Sequence, residues 1–365
     1  MNNDVANILL EQVVEASRTN TPLEIIGNGS KHFYGNAIQA TPLVTSQHSG
    51  IINYEPTELV ITARSGTPLD EIESELNKNN QQLAFEPPHF RIFDTNRNRV
   101  ATLGGCIATG LSGPARANNG SARDFVLGCE IINGKGEQLK FGGQVMKNVA
   151  GYDVSRLMCG SMGTLGVILN VSLKVLPKPE KEISISFKFS SDEAYANLAK
   201  WNSLPYPITA SCYYDGLLTI RLAGNAQAVE ASQKKLGGDK VEHNEDFWIS
   251  IKEHFHPHFR TNQPLWRIST KPNTNLNIDT DNDQTCLTEW HGALHWLTTK
   301  TPAKILRHNI EQIGGHATLF RNAPIESDIE IFHPLPEPLM NIHNKIKRSF
   351  DPENILNPNK MYRFK

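Results

Sequence analysis

The chain has 365 residues, of which 39% are hydrophobic and 20% charged, the composition of a globular protein long enough for two or three domains and a core that can enclose a cofactor. Its 36 basic and 38 acidic residues give a formal net charge of -2, which removes the electrostatic case for a nucleic-acid or strongly anionic membrane partner. The five cysteines, Cys106, Cys129, Cys159, Cys212 and Cys286, are far apart with no CxxC pair, so reduced buried thiols are expected and not a cluster or zinc site built by this chain alone.

The opening segment, MNNDVANILLEQVVEASR, carries no basic stretch followed by an apolar core, so no signal peptide is expected. No window approaches the roughly 20 apolar residues of a spanning helix. The expectation is a cytoplasmic protein that meets the inner face of the cell membrane only through partners. Asp4 can cap a first helix with Ile8, Leu9, Val13 and Val14 on one face. Residues 23–26 read as a short buried strand that runs into the loop Gly27-Asn28-Gly29-Ser30-Lys31. A strand at 59–63 follows, then a helix with Thr67 as N-cap, Pro68 in its first turn and Leu69, Ile72 and Leu76 on one face.

Glycine becomes dense from 102 to 166, interrupted by strand-like pieces at 125–132 and 167–175. Pro177-Lys178-Pro179 reads as a linker. Beyond it Ile183, Ile185, Phe187 and Phe189 alternate as in a half-buried strand, helical and strand-like segments continue to about 330, and 273–284 reads as a polar loop. The final segment, 350–365, is rich in proline and asparagine.

A diphosphate has to be met by backbone N–H groups at close range, where side chains would block the approach. The loop at 27–31 suits that purpose directly after a strand, and equally suits a tight turn. A nucleotide-binding Rossmann fingerprint would need glycine where His32 stands, and a P-loop would need a glycine–lysine–Ser/Thr run that is absent. Two further clusters, Thr102-Leu103-Gly104-Gly105 with Ser112-Gly113-Pro114, and GSMGTLGV at 160–167, make convergence on one long diphosphate-bearing ligand the better explanation; FAD is such a ligand.

The first loop, LVITARSG at 59–66, TLGG at 102–105 and GSMGTLGV resemble the vanillyl-alcohol-oxidase or para-cresol-methylhydroxylase (PCMH) type of FAD-binding domain over about residues 1–180. Within that family the chain is similar to the FAD-binding subunits of glycolate oxidases. FEPPH at 85–89, SGPAR at 112–116, RDFVLG at 123–128, the 141–167 run containing KNVAGYD, His256-Pro257, PLWRIS at 264–269 and FDPENILNPNKMY at 350–362 carry the likeness. It implies an α+β fold: a two-subdomain FAD-binding domain at 1–180, an α+β cap with an antiparallel sheet at 181–340, and a tail at 341–365 that returns to the flavin domain. By position it implies FAD contacts from Gly27, Asn28, Gly29, Ser30 and Lys31, from Thr102, Gly104 and Gly105, from Gly163, Thr164, Gly166 and Val167, and from Asn357. Ser30 stands where some members tether the flavin through histidine, so non-covalent FAD is expected.

The resemblance also implies oxidation of glycolate or a similar 2-hydroxy acid, which needs a cation for the carboxylate and a base for the hydroxyl proton. Arg116, Arg260 and Arg267 are candidates for the cation, and His256, among His254, His256 and His258, for the catalytic set. Related dehydrogenases carry a His-x-Gly-Asp-Gly-Asn-x-His motif; the nearest stretch here, Trp290-His291-Gly292-Ala293-Leu294-His295-Trp296, lacks the Asp and Asn, and no metal is assigned. Partner subunits are therefore implied: a related catalytic flavin subunit and an iron–sulfur subunit. A stand-alone FAD-dependent hydroxy-acid dehydrogenase and a non-catalytic flavin-binding assembly subunit are the competing readings.

Overall fold

The computed structural model describes residues 3–91, 100–143, 153–276, 284–323 and 329–364. All of KNVAGYD except Asp153, and the middle of the polar loop at 273–284, lie outside them. The chain divides into two units, the first formed by Met1–Ser112, Gly120–Pro177 and Pro334–Lys365, the second by Gly113–Asn119 and Lys178–His333.

The first unit begins with helix α1 (Ala6–Thr19), whose first-turn amide at Ala6 donates to Asp4 Oδ1 at 3.1 Å. Leu9, Val13 and Ala16 form its buried stripe, while Ile8 and Val14, expected on the same face, are exposed. The i, i+4, i+7 spacing of the first three fixes the stripe, and their neighbours at i−1 and i+1 rotate away from it. Strand β1 (Leu23–Ile26) pairs in parallel with β2 (Thr41–Val44), which leaves residues 27–40 as a connection on one edge of a small sheet.

A separate antiparallel sheet holds β3 (Ile51–Glu55), β4 (Val60–Arg64), β8 (Val167–Lys174), β6 (Val126–Ile132) and β7 (Gln138–Gly142) in that spatial order. β8 is nearly continuous in buried residues because it is central, whereas β7 alternates at the edge. Helix α2 (Leu69–Asn77) lays fully buried Leu69, Ile72 and Leu76 on this core with Ile61, Leu103 and Ile107. Pro68, and not Thr67, is its N-cap. The Thr67 hydroxyl is spent elsewhere: it accepts from Gly50 N at 2.9 Å and donates to Gly50 O at 3.2 Å.

Helix α11 (Glu337–Phe350) and the tail close the first unit. The Lys347 ammonium, 2% exposed, donates to Thr164 O at 2.7 Å, Leu356 O at 2.9 Å and Asp351 Oδ2 at 2.5 Å. Asp351 in turn accepts the amides of Ile355 and Leu356. A buried cation is tolerated here because each of its protons has an acceptor.

The second unit is an eight-stranded antiparallel sheet with helices. Its strands β10 (Lys181–Lys188), β12 (Leu217–Gly224) and β11 (Ile208–Tyr214) pack helices α7 (Ser191–Asn202) and α8 (Ala226–Leu236) through Ile185, Leu198, Ile220 and Val229. The start of α7 is set by a capping box between Ser190 and Glu193. Strands β15 (Thr285–Glu289), β16 (Leu294–Thr298), β14 (Leu265–Ser269) and β17 (His316–Arg321) continue the sheet and pack α10 (Ala303–Gln312) through Trp266, Ile268, Leu306 and Ile310. The expected antiparallel sheet after the linker is therefore present.

Candidate functional site

The three glycine clusters line one cavity of the first unit. It has about 830 Å³ of empty space, part of it open to solvent, and its wall is made by residues 24–32, Tyr34, Thr45, Ser65, Thr102, Gly104, Gly105, Ala108, Thr109, Met162, Gly163, Gly166, Ile168, Asn357 and Lys360. Gly27, Asn28, Gly29, Ser30, Lys31, Thr102, Gly104, Gly105, Gly163, Gly166 and Asn357, all singled out from sequence, are on that wall. Thr164 and Val167 are not. Thr164 turns its amide and hydroxyl back to Ser161 O, at 3.0 and 2.7 Å. Val167 is fully buried among Leu9, Leu43 and Ile132.

The clusters differ in what they offer a ligand. In the first loop the amides of Gly27, Asn28, Gly29 and Ser30 have no acceptor among the described residues. A Cβ on Gly27 would come 2.5 Å from Thr102 Oγ1, and Gly29 has a φ of 72°. This is a run of backbone donors that only glycine keeps open, with Asn28 Nδ2 anchored to Val100 O at 2.9 Å. In the second cluster the donors are used internally. Gly104 N donates to Ser65 O at 2.7 Å, and Gly105 N to Thr102 Oγ1 at 3.3 Å, the N-cap bond of α3 (Leu103–Thr109). Glycine at 104 is needed for packing, since a Cβ there would meet Ser65 Cβ at 2.7 Å. The expectation of bare amides from three stretches thus holds for the first stretch, while the second supplies shape.

Asn357, in left-handed backbone with φ 42°, is a staple. Its Oδ1 accepts Ile25 N at 2.7 Å and its Nδ2 donates to Met162 O at 2.7 Å. A Cβ on Gly163 would lie 2.7 Å from that Nδ2. One side chain from the tail therefore sets the spacing between β1 and the third loop, and one amide hydrogen of Nδ2 is left for a ligand.

Two lysines and one glutamate put charge on the wall. Lys31 is 7% exposed, with its ammonium 5.9 Å from the Phe90 ring centroid. Lys360 is 8% exposed, and burial holds its ammonium below the ordinary lysine range while Glu24 pulls it back up. This donor loop with a surplus of buried positive charge fits a diphosphate. Lys360 was not found from sequence; the sole available signal was a lysine inside the NPNKM turn of the tail.

In the second unit Arg116 and Arg267 both lie against the Trp290 ring, with Cζ 4.5 and 5.3 Å from its centroid. Trp290 Nε1 donates to Gly113 O at 3.0 Å. Trp290 and His291 are consecutive left-handed residues, with φ 52° and 55°, a strained arrangement for non-glycine residues that surrounding bonds must hold. His291 N donates to Ser211 Oγ at 2.9 Å, its Nε2 meets Asn118 Oδ1 at 2.6 Å, and Asn273 N donates to its carbonyl at 2.7 Å. The tryptophan platform was invisible to sequence reasoning because residues 113–119 reach it only through the fold.

The remaining histidines are separate from this cluster. His256 is half-buried, packed edge-on against Tyr214 and Phe247, and accepts His258 N on Nδ1 at 3.3 Å; burial and Arg260 lower its pKa. His254 stacks on Phe259 at 3.8 Å. His295, fully buried, meets Thr288 Oγ1 and Thr270 Oγ1 at 3.1 Å each. Burial pushes His258, His291 and His295 down to about 4, so they are neutral. Residues 254–259 form a turn and a 3-10 helix, so the strand alignment that would put three histidines on one face does not occur. Among the described residues the one grouping with metal-ligand spacing is Asp70, Glu73 and His89, in the first unit. The cysteines are free; Cys106, Cys129 and Cys212 are buried and Cys159 and Cys286 partly so.

The FAD binding domain family matches residues 6–142. The glycolate oxidase subunit GlcE of Escherichia coli (strain K12) is 44% identical over 359 residues, 98% of this chain and 98% of that protein. The glycolate oxidase subunit GlcD of Bacillus subtilis (strain 168) is 35% identical over 112 residues, 31% of this chain and 23% of that one. A D-lactate dehydrogenase of Anaerostipes hadrus is 33% identical over 39% of this chain and 28% of its own. Among solved structures, alkyldihydroxyacetonephosphate synthase superposes with a TM-score of 0.67 at 15% identity, covering 99% of this chain and 75% of that one, a likeness of fold.

Proposed function

The chain belongs to the family of the glycolate oxidase subunit GlcE and carries an FAD binding domain, and from that premise we propose that it is the FAD-binding subunit of a glycolate oxidase complex that oxidises glycolate to glyoxylate. The full-length 44% identity carries this reading, and the donor loop at one cavity supports it. FAD, when bound, supplies the hydride acceptor. Gly27, Asn28, Gly29 and Ser30 would hold its diphosphate through backbone N–H groups, with Lys31 adding charge; Ser30 in place of a tethering histidine makes the attachment non-covalent.

Arg116 and Arg267, oriented by one tryptophan face, are the carboxylate anchor of the substrate, because guanidinium groups can grip a carboxylate through paired N–H donors. His256 is left out of that anchor, since its ring sits on Tyr214 and Phe247. Electrons leave to an iron–sulfur subunit, for the cysteines of this chain are dispersed; a related flavin subunit completes the complex, and any membrane association runs through these partners.

The test is anaerobic glycolate added to the purified chain, with and without its partner subunits. Bleaching of the oxidised flavin absorbance is expected in the assembled complex, and Arg267→Met should raise KM for glycolate about 30-fold while FAD stays bound. A chain that takes up no FAD would overturn the reading. Full turnover by the isolated chain would replace it with a stand-alone dehydrogenase.

A further inference from the structure

Lys360 is a largely buried cation whose ammonium feels the charge of Glu24. Its ammonium makes no hydrogen bond or ion pair among the described residues, yet the residue is 8% exposed and lies on the cavity wall. Its backbone is stapled on both sides: Lys360 N donates to Asn357 O at 3.1 Å, and Lys360 O accepts Asn36 N at 3.0 Å. Asn36 Nδ2 also donates to Asn359 O at 2.8 Å and Met361 O at 3.3 Å. The side chain runs over Gly35, where a Cβ would come 3.2 Å from Lys360 Cε. The lysine is therefore delivered to the wall by a tail whose backbone these bonds fix.

A desolvated ammonium without an acceptor is costly, and a fold that builds one into a cavity gains when an anion enters. The charged groups on the wall are Lys31, Lys360 and Glu24, with His32 at the rim 3.6 Å from Glu24. That leaves one surplus positive charge.

We propose that Lys360 is a cofactor-binding residue that holds a negatively charged group of the bound FAD. This rests on reading the cavity as the FAD site. Two groups have the required chemistry: the diphosphate, charged in every redox state, and the flavin ring, which becomes anionic only when reduced.

The experiment titrates FAD into the full chain by flavin fluorescence at several salt concentrations, for wild type, K360Q and K360R, and measures the midpoint potential of each. With the diphosphate as partner, K360Q weakens the Kd about 30-fold and flattens its salt dependence, and K360R restores most of both. With the reduced ring as partner, the Kd for oxidised FAD holds and the midpoint potential of K360Q falls. Wild-type Kd, salt dependence and potential in K360Q would overturn the inference. Glu24→Gln is a second arm should K360Q not fold by circular dichroism: removing the carboxylate that offsets Lys360 tightens FAD a few-fold or raises the midpoint potential, and a variant with both unchanged sinks the proposal. Failure of the site reading looks different, because wild type itself would then take up no FAD.

Discussion

The two units leave different kinds of polar group open. The first leaves backbone donors of residues 27–30 without acceptors, and the Lys360 ammonium without a hydrogen bond, on one cavity wall among the described residues. In the second, His295 has a hydroxyl on each ring nitrogen, Trp296 Nε1 donates to Glu289 at 2.8 Å and Trp248 Nε1 to Ser184 Oγ at 2.8 Å, while single buried atoms such as Trp266 Nε1 and His258 Nε2 have no hydrogen-bond partner among the described residues. A run of open backbone donors along a cavity is prepared for a ligand; single open atoms inside a packed sheet are the cost of holding shape. The chain's tryptophans, Trp201, Trp248, Trp266, Trp290 and Trp296, all lie in the second unit. Their fluorescence follows that unit, while flavin binding follows the first.

The largest expected effect on this contrast is acid sensitivity that falls most heavily on the second unit. The folded pKa values of His258, His291 and His295 sit near 4, below the ordinary 6.5. Between those values the unfolded chain binds more protons than the folded one, so stability present above pH 6.5 is lost as pH falls toward 4. Each histidine contributes on the order of 2 kcal/mol to that loss. Tryptophan-monitored melts should drop steeply through this window, and His295→Gln should flatten the drop; a pH-independent melt would break the comparison.

Next is Lys347→Met, which leaves Asp351 buried without its cation and should cost the first unit about 3–5 kcal/mol. Flavin release on heating should move to lower temperature, while tryptophan fluorescence of the second unit changes little. Then comes Gly27→Val. Its side chain would collide with Thr102 Oγ1, and FAD affinity should fall more than a hundredfold, about 3 kcal/mol, with tryptophan melts unaltered. Smallest is Thr102→Ala, which removes the α3 N-cap at a cost of about 1 kcal/mol and should weaken FAD only several-fold in the same titration.

Much of the fold was legible because its signals are local. A strand ending in Gly-Asn-Gly, a helix with Leu69, Ile72 and Leu76 in phase, and an alternating strand at 183–189 each announce themselves within a few residues. Misreadings arose where a side chain had a distant competitor. Thr67 has the chemistry of an N-cap, but Gly50 takes its hydroxyl. Thr164, by contrast, lies off the cavity wall through a local turn, its hydroxyl bonded to Ser161 O three residues back, and its carbonyl accepts from Lys347.

The sequence by itself determined the FAD family, through motifs it shares with that family, and the strand and glycine loop at 23–31 and the helix at 69–77, since glycine spacing and hydrophobic period act at short range. Tertiary structure alone decided which glycines serve a ligand and which serve packing. It also decided that Arg116 shares Trp290 with Arg267, and that Lys360 reaches the cavity. Each of these joins residues far apart in the chain, and their meeting depends on strand order and burial, quantities that no local pattern encodes.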